Sequence, residues 1–461
     1  MNFGTALSRI ERPFTFAVVG DTHFTKAEFR TNAGDQAHHS YDLTPEGYIE
    51  NVSLVLEPMR ETLKSLSPEF IVMTGDLVEG GLVSGFARAE MSACLRFLDG
   101  FEIPLLLARG DHDESNVFGD VVLPYLSKRM GWEFATPYYF TDVAGCRLVV
   151  FDTGSWTSGC SQLGWFQKLM RECKEDRIDR VFVFGHHPIW PVARVFYTKY
   201  DFHREISDVL EKRSVDAYFC GHTHNQSLIV RRSGSRMTPQ MMAAPIGLPE
   251  EVPTPLDRVQ TLFEERGDKP IYWPGYLAHT AAGWFLVHVN TDSVQVEWHH
   301  VNRGPEASVE WRQAGEITSF WHLSHPPDAR MISADLTRIR RGFLRFCAWD
   351  ATQSEKRVTL NGREIGDLPE SNNFAPTKME LPSWALNELR LENRLEIHSP
   401  GYEASTVGNL VLEVILRGGR VLRTGPTGEL FTWSNRWDAW RNPKLQKLRT
   451  GSPIITSLSF R

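Results

Sequence analysis

The first half of the chain repeats one pattern. A short run of Val, Ile, Leu and Phe stops abruptly at a cluster of Gly, Asp and His. The runs fall at 14–19, 70–73, 104–108, 148–151, 181–184 and 217–220. Continuous apolar runs of this length predict strands buried on both faces, as in a sheet covered by helices on each side. The segments between them carry helical spacing. Over 48–66, Ile49, Val52, Leu56, Met59, Leu63 and Leu66 recur close to the helical period, and Pro68 ends the helix. Shorter helices are predicted over 86–98, 163–173 and 202–210. Strands alternating with helices give a layered α/β architecture.

The character changes near residue 225. Strands are predicted over 237–244 and 283–289, and 294–299 alternates. Between them lies a Pro-rich, charged insertion at 245–280. The sheet is expected to finish near Val301, with Gly304-Pro305 as a boundary. Beyond 325 helical patterns give way to short strand candidates at 344–347, 357–360, 394–398, 410–416 and 430–433. Turn signals such as Asn361-Gly362 and Gly418-Gly419 separate them, which predicts a β-sandwich-like domain. The expected organisation is an α/β unit at 1–303, a linker at 304–324 and a β-rich accessory domain at 325–461.

A chain of 461 residues with 41% hydrophobic and 23% charged positions can bury two ordinary cores. Its net charge of -7 counts against a nucleic acid or an anionic membrane recognised through a broad basic surface. The six cysteines form no CxxC pair and read as small buried hydrophobes. The N-terminal residues show no signal-peptide pattern, and no apolar stretch is long enough to span a bilayer. A cytoplasmic location is expected.

The chemistry is concentrated where the runs stop. In order, the clusters are Gly20-Asp21-Thr22-His23, Gly75-Asp76, Gly110-Asp111-His112-Asp113, Gly185-His186-His187-Pro188 and Gly221-His222-Thr223-His224. Carboxylates and imidazoles at the carboxyl ends of neighbouring strands converge on one crevice. Mixed O and N donors suit Mn, Fe, Zn or Ni better than Ca. Glycine before each cluster is expected to let the backbone turn sharply.

This set of motifs resembles the calcineurin-like metallophosphoesterase family over residues 14–300. The resemblance implies a layered α/β/β/α sandwich. It implies one metal ion held by Asp21, His23, Asp76 and His224, and a second held by Asp76, Asp111, His186 and His222, with Asp76 bridging. His112 would lie beside the substrate phosphate, stabilising charge or protonating the leaving oxygen. The implied cofactors are two transition-metal ions, Mn²⁺, Fe or Zn²⁺. Cations about 3.5–4 Å apart can share a water, lower its pKa and set the resulting hydroxide for in-line attack on phosphorus. The chain departs from the family at Asp111, where Asn is usual. With two divalent ions and a bridging hydroxide, the usual site carries about +1, and this one about 0. Either a trivalent–divalent pair restores the charge, or a singly charged diester is favoured over a dianionic monoester.

Taken singly, each motif has an ordinary reading. Asp21-Thr22-His23 could be a helix N-cap, Gly75-Asp76 a turn and Asp111 to Asp113 a solvated loop. Five such motifs in order at strand ends favour the metal site. Other positions stay open: His187 as a structural or supporting group, and His38 and His39 as pocket or surface. Trp190, Phe196, Tyr197 and Tyr200 could wall a pocket or simply pack, and Arg109 could contact phosphate or form an ion pair. His299, His300, His322 and His325 lack ligand spacing. The segments Val358-Thr359-Leu360-Asn361-Gly362 and 393–398 resemble jelly-roll modules of carbohydrate enzymes. Trp433, Trp437 and Trp440 could stack a sugar or form a seam against the first domain. The expected function is hydrolysis of a small phosphate ester, diester favoured. A phosphomonoesterase, a nuclease, and an inactive binding scaffold are the alternatives. Oligomeric state is not legible.

Overall fold

The computed structural model describes residues 2–30, 49, 51–81, 84–173, 175–190, 200–212, 215–222, 226–233, 236–243, 271–272, 283–301, 304–314, 318–324, 331–349, 356–369, 376–399, 405–418, 421–424, 430–433, 445–448 and 451–460.

The apolar runs form two sheets rather than one. The first contains β1 (Phe14–Val19), β2 (Phe70–Met73) and β3 (Leu105–Leu107) in parallel. The second contains β4 (Tyr139–Val143), β5 (Cys146–Val150), β6 (Arg180–Phe184), β7 (Ala217–Cys220), β8 (Ser227–Ser233), β9 (Arg236–Met242) and β10 (Ile271–Tyr272), in the order β10-β8-β9-β7-β6-β5-β4. The first sheet is completed by β11 (Gly283–Val289), β12 (Ser293–His300), β13 (Gly304–Ala314) and β14 (Thr318–Ser324), in the order β14-β13-β12-β11-β1-β2-β3.

The sheets meet face to face through an aromatic core. The Phe16 ring stacks on Phe70 at 4.9 Å and touches Phe182, Phe184 and Phe219 of the second sheet at 5.6, 6.0 and 6.2 Å. The outer face of the second sheet buries Val149, Phe151, Val183 and Tyr218 against Phe166, Phe202 and Ile206 of the helices Ser161–Glu172 and Tyr200–Lys212. On the first sheet the helices Glu57–Leu66 and Ser84–Asp99 contribute Met59, Leu63, Met91 and Leu98 to the same core as β1 to β3. The result is the α/β/β/α sandwich. A strand whose faces meet a helix on one side and a sheet on the other carries the same continuous apolar signature as one between two helix layers.

Within 304–324, expected as a linker, residues 304–314 and 318–324 are strands instead. The β13 strand pairs with β12 and β14 with β13, both antiparallel. Ala307, Val309 and Trp311 point into the core, so the alternation of a half-buried strand decides the fold here and Gly304-Pro305 does not. The helix expected from 48 contains a π-helical turn at Val52–Leu56 and continues as Glu57–Leu66. Among the described residues no helix is long and apolar enough to cross a membrane.

The C-terminal region is β-rich. A six-stranded sheet including Ile339–Trp349 and Ser405–Leu416 and a four-stranded sheet including Arg357–Leu360 and Glu392–His398 share one core. Leu344, Leu412 and Val414 come from one sheet, and Val358, Leu395 and Ile454 from the other. Trp433 is fully buried in this core and its Nε1 donates to the Ser452 carbonyl at 2.7 Å, so it is neither a sugar platform nor a seam against the first domain. Trp437 and Trp440 lie outside the described residues.

Candidate metal centre

The parallel strands deliver their C-terminal loops to one place. The β1 strand leads into Asp21 and His23, β2 into Asp76, β3 into Asp111 and His112, β6 into His186 and β7 into His222. Asp21, His23, Asp76 and His222 have φ of 48°, 42°, 49° and 76°. Non-glycine residues rarely adopt that conformation, and it persists only where the surroundings hold it. The holding bonds are identifiable. The Asp21 N–H donates to Gly75 O at 3.1 Å and the His23 N–H to Asp76 O at 2.9 Å. The His222 N–H donates to Asp21 Oδ1 at 2.8 Å, and the His112 N–H to Asp76 Oδ1 at 2.9 Å.

The side chains converge as the backbone does. Asp76 Oδ2 lies 3.2 Å from His186 Nε2 and 3.5 Å from His23 Nε2. Asp111 Oδ1 lies 2.7 Å from His186 Nε2 and 3.1 Å from His222 Nδ1. Donor atoms fall into three groups, each within 4.8 Å: His23, Asp76 and His112; Asp21, Asp76 and His186; Asp111, His187 and His222. One group, joining Asp21 to His186, mixes the two expected ligand sets; the other two each keep to one set and add His112 or His187, and Asp76 belongs to two groups. Every expected site residue is brought in except His224, which lies outside the described residues, as do His38, His39, Phe196, Tyr197 and His325.

The donor set fits a cation. His186 Nδ1 is 3.1 Å from the Thr74 carbonyl, which only accepts, so Nδ1 carries the hydrogen. The opposite nitrogen then presents a lone pair to Asp76 and Asp111 unless it is protonated. A lone pair between two carboxylates requires positive charge, and a transition-metal ion supplies it with donors of the right kind. The electrostatics say the same. Burial pushes the Asp21 carboxyl up, and neighbouring Asp76 adds to it. Asp76 is equally buried, but His186 and His112 outweigh that penalty and hold it well below the usual carboxylate range. Burial opposes charge on His112, yet Asp76, Glu79 and Asp111 raise its pKa to about 9. Cations bound to those carboxylates would cancel much of this pull.

The family model for the calcineurin-like phosphoesterases matches residues 14–226. Those residues are a calcineurin-like phosphoesterase domain. The tartrate-resistant acid phosphatase type 5 of Sus scrofa is 26% identical over 208 residues, which is 38% of this chain and 58% of that enzyme. The chain thus spans under two thirds of the length of these phosphatases. A glycerophosphodiester phosphodiesterase of Enterobacter lignolyticus is 25% identical over 237 residues, covering 48% of this chain and 75% of that enzyme. Among solved structures, a purple acid phosphatase from yellow lupin seeds aligns with a TM-score of 0.45 at 13% identity, covering 68% of this chain and 54% of that one.

In this phosphoesterase domain the glycines before the motifs mostly provide room. Only Gly75 among them has a positive φ. A Cβ on Gly110 would sit 2.1 Å from Asp76 Oδ1 and 2.2 Å from the Asp76 nitrogen. Gly110→Ala is therefore expected to displace Asp76 and cut metal-dependent turnover by about 10²-fold, the scale of an ångström-sized misplacement. Circular dichroism and metal analysis of the variant check that the fold survives while metal content drops.

Two groups carry the site without a role legible in the sequence, although Asp113 stands in the third motif. Asp113 is fully buried. Its Oδ1 accepts from the Leu77 and Val78 N–H groups at 3.0 and 3.3 Å, and its Oδ2 from Gly110 at 2.9 Å. It ties the Asp76 loop to the Asp111 loop. Thr153 Oγ1 accepts from the backbone N–H groups of His186 and His187 at 3.2 and 3.0 Å and pairs with His187 Nδ1 at 2.9 Å. Arg109 resolves as a structural group: Nε donates to Asp152 at 2.9 Å and Nη2 to Ser155 at 2.8 Å. His299 stacks on Trp284 and pairs with Glu297, away from the site.

Proposed function

We propose that the chain is a metal-dependent phosphoesterase acting on a small phosphate ester, with a phosphodiester favoured. The observation that carries this reading is Asp76, a buried carboxylate facing His23 and His186 while it accepts the His112 N–H. Asp21, His23, Asp76, Asp111, His186 and His222 would hold two transition-metal ions, Mn²⁺, Fe or Zn²⁺, with His224 as a further ligand. Bound, these ions supply an acidified water and neutralise phosphoryl charge. His112, half-buried beside Asp76, is placed to donate a proton or a hydrogen bond to a leaving oxygen. The Asp76–His112 bond fixes the backbone from which that ring projects.

The match to a glycerophosphodiester phosphodiesterase supports the diester. The acid phosphatase relatives support a phosphomonoesterase as second reading. Asp111 bears on the choice, because its carboxylate adds negative charge where a dianion would bind. Hydrolysis of bis-p-nitrophenyl phosphate and p-nitrophenyl phosphate by chelator-stripped protein, with and without Mn²⁺, tests the reading. Metal-dependent turnover with a faster diester supports it. Protein that binds two metal ions and turns over neither ester, nor any of a panel of natural phosphates, would be a scaffold. Asp111→Asn is expected to move the monoester-to-diester ratio of kcat/KM upward by about tenfold, which ~1.4 kcal/mol of relieved repulsion produces. An unchanged ratio and unchanged metal content remove residue 111 as the charge-setting position.

A further inference from the structure

Resting on the reading that this site holds two metal ions, we propose that Glu79 is a positioning residue that sets the orientation of two histidines at once, through two different atoms. Its carboxylate Oε2 lies 2.8 Å from His23 Nδ1. Its backbone carbonyl lies 2.6 Å from His112 Nδ1. Carboxylate and carbonyl oxygens only accept, so each imidazole carries a hydrogen on Nδ1 and works through Nε2. For His23 that nitrogen faces Asp76, 3.5 Å from Oδ2. The two rings sit edge to face with centroids 4.6 Å apart, close enough for one residue to bond both.

Glu79 is itself held in place. It is buried, as is the His23 side chain it meets. Its N–H donates to the Phe24 carbonyl at 3.2 Å, and the next residue, Gly80, donates to Glu90 Oε2 at 3.1 Å. Gly80 has φ +66°, and a Cβ there would lie 2.2 Å from the His112 carbonyl oxygen. Glycine at 80 thus lets the loop press against His112, which brings the Glu79 carbonyl to its ring. A carboxylate on the far nitrogen of a ligating imidazole fixes the tautomer and raises ligand basicity, and losing such a partner weakens metal binding by about 10–100-fold. The side chain hydrogen-bonds His23 and the main chain hydrogen-bonds His112, so Glu79→Gln weakens the first contact and keeps the second, taking from His112 only the carboxylate charge 3.9 Å from its Nδ1.

The test is calorimetric titration of Mn²⁺ into chelator-stripped wild type and Glu79→Gln. Wild type is expected to bind two ions. The variant is expected to bind one of them about 10–100-fold more weakly and the other with its affinity retained. Equal weakening of both ions, or of neither, overturns the proposal. A wild type that binds no metal overturns the underlying site reading, which is a separate result. Histidine ¹⁵N spectra of Zn²⁺-loaded wild type give a measurement independent of any variant's folding. Hydrogen on Nδ1 of both His23 and His112 is expected, and hydrogen on Nε2 of His23 overturns the assignment.

Discussion

Asp76→Asn is expected to lower Mn²⁺-dependent hydrolysis of bis-p-nitrophenyl phosphate by at least ~10³-fold and to reduce bound metal below two ions per chain. Loss of a single transition-state donor costs about 10²–10³ in rate, and Asp76 belongs to two donor groups at once. Asparagine is the informative substitution because it keeps an oxygen for the His112 N–H, 2.9 Å from Oδ1. The loop conformation is then retained while the charge facing His23 and His186 is lost. Kinetics at saturating Mn²⁺, metal analysis and circular dichroism together decide the case. A folded variant retaining a rate within tenfold of wild type would show that Asp76 is not shared between metals, and the phosphoesterase reading would fail at its centre.

The part of this site legible in the sequence is the part that follows from strand chemistry. Parallel strands buried on both faces read as unbroken apolar runs, so their ends are conspicuous, and Asp21, Asp76, Asp111, His186 and His222 stand at those ends. What holds the ends together was not legible. Asp113 and Glu79 look like any acid beside a motif; only their distances to Gly110 and His23 assign them. The same limit applies to Arg109, whose partner Asp152 is 43 positions away. In the fold, β8 carries no sequence signature because Arg231 and Arg232 interrupt its apolar period, although Arg231 is buried and lies over the Trp190 ring. The β13 strand shows the opposite failure. Its alternation at Ala307, Val309 and Trp311 is present in the sequence, but Gly304-Pro305 carries the signal of a boundary. Local turn chemistry there yields to the pairing with β12.

The largest stability effect is expected at the other end of the strands. Asp216→Ala should destabilise the protein by about 3–5 kcal/mol, because it leaves a buried guanidinium without its counter-charge. Arg180 Nη1 donates to Asp216 Oδ1 at 3.0 Å, and the Val181 N–H donates to Asp216 Oδ2 at 2.9 Å. Arg180 Nη2 also reaches the Thr291 carbonyl at 3.3 Å, in the turn between β11 and β12. The pair thus joins the second sheet to the first at the end remote from the metal centre. It does so at a cost: burial pushes the Asp216 carboxyl up to about 6 even though Arg180 pulls it down. A folded-state pKa above the unfolded value means that the folded protein binds the extra proton. Stability attributable to this group therefore falls as pH rises from about 3.8 through about 6, and is not regained at neutral pH. Two outcomes follow for urea unfolding at pH 7. The single variant shifts the midpoint down with an unchanged slope. The double variant Arg180→Met with Asp216→Leu recovers most of the loss, because an apolar pair carries no desolvation penalty. Metal content of the folded fraction should stay at the wild-type value in both. A single variant as stable as the double would mean that water reaches Arg180, and the two sheets would then be held at this end by their aromatic core alone.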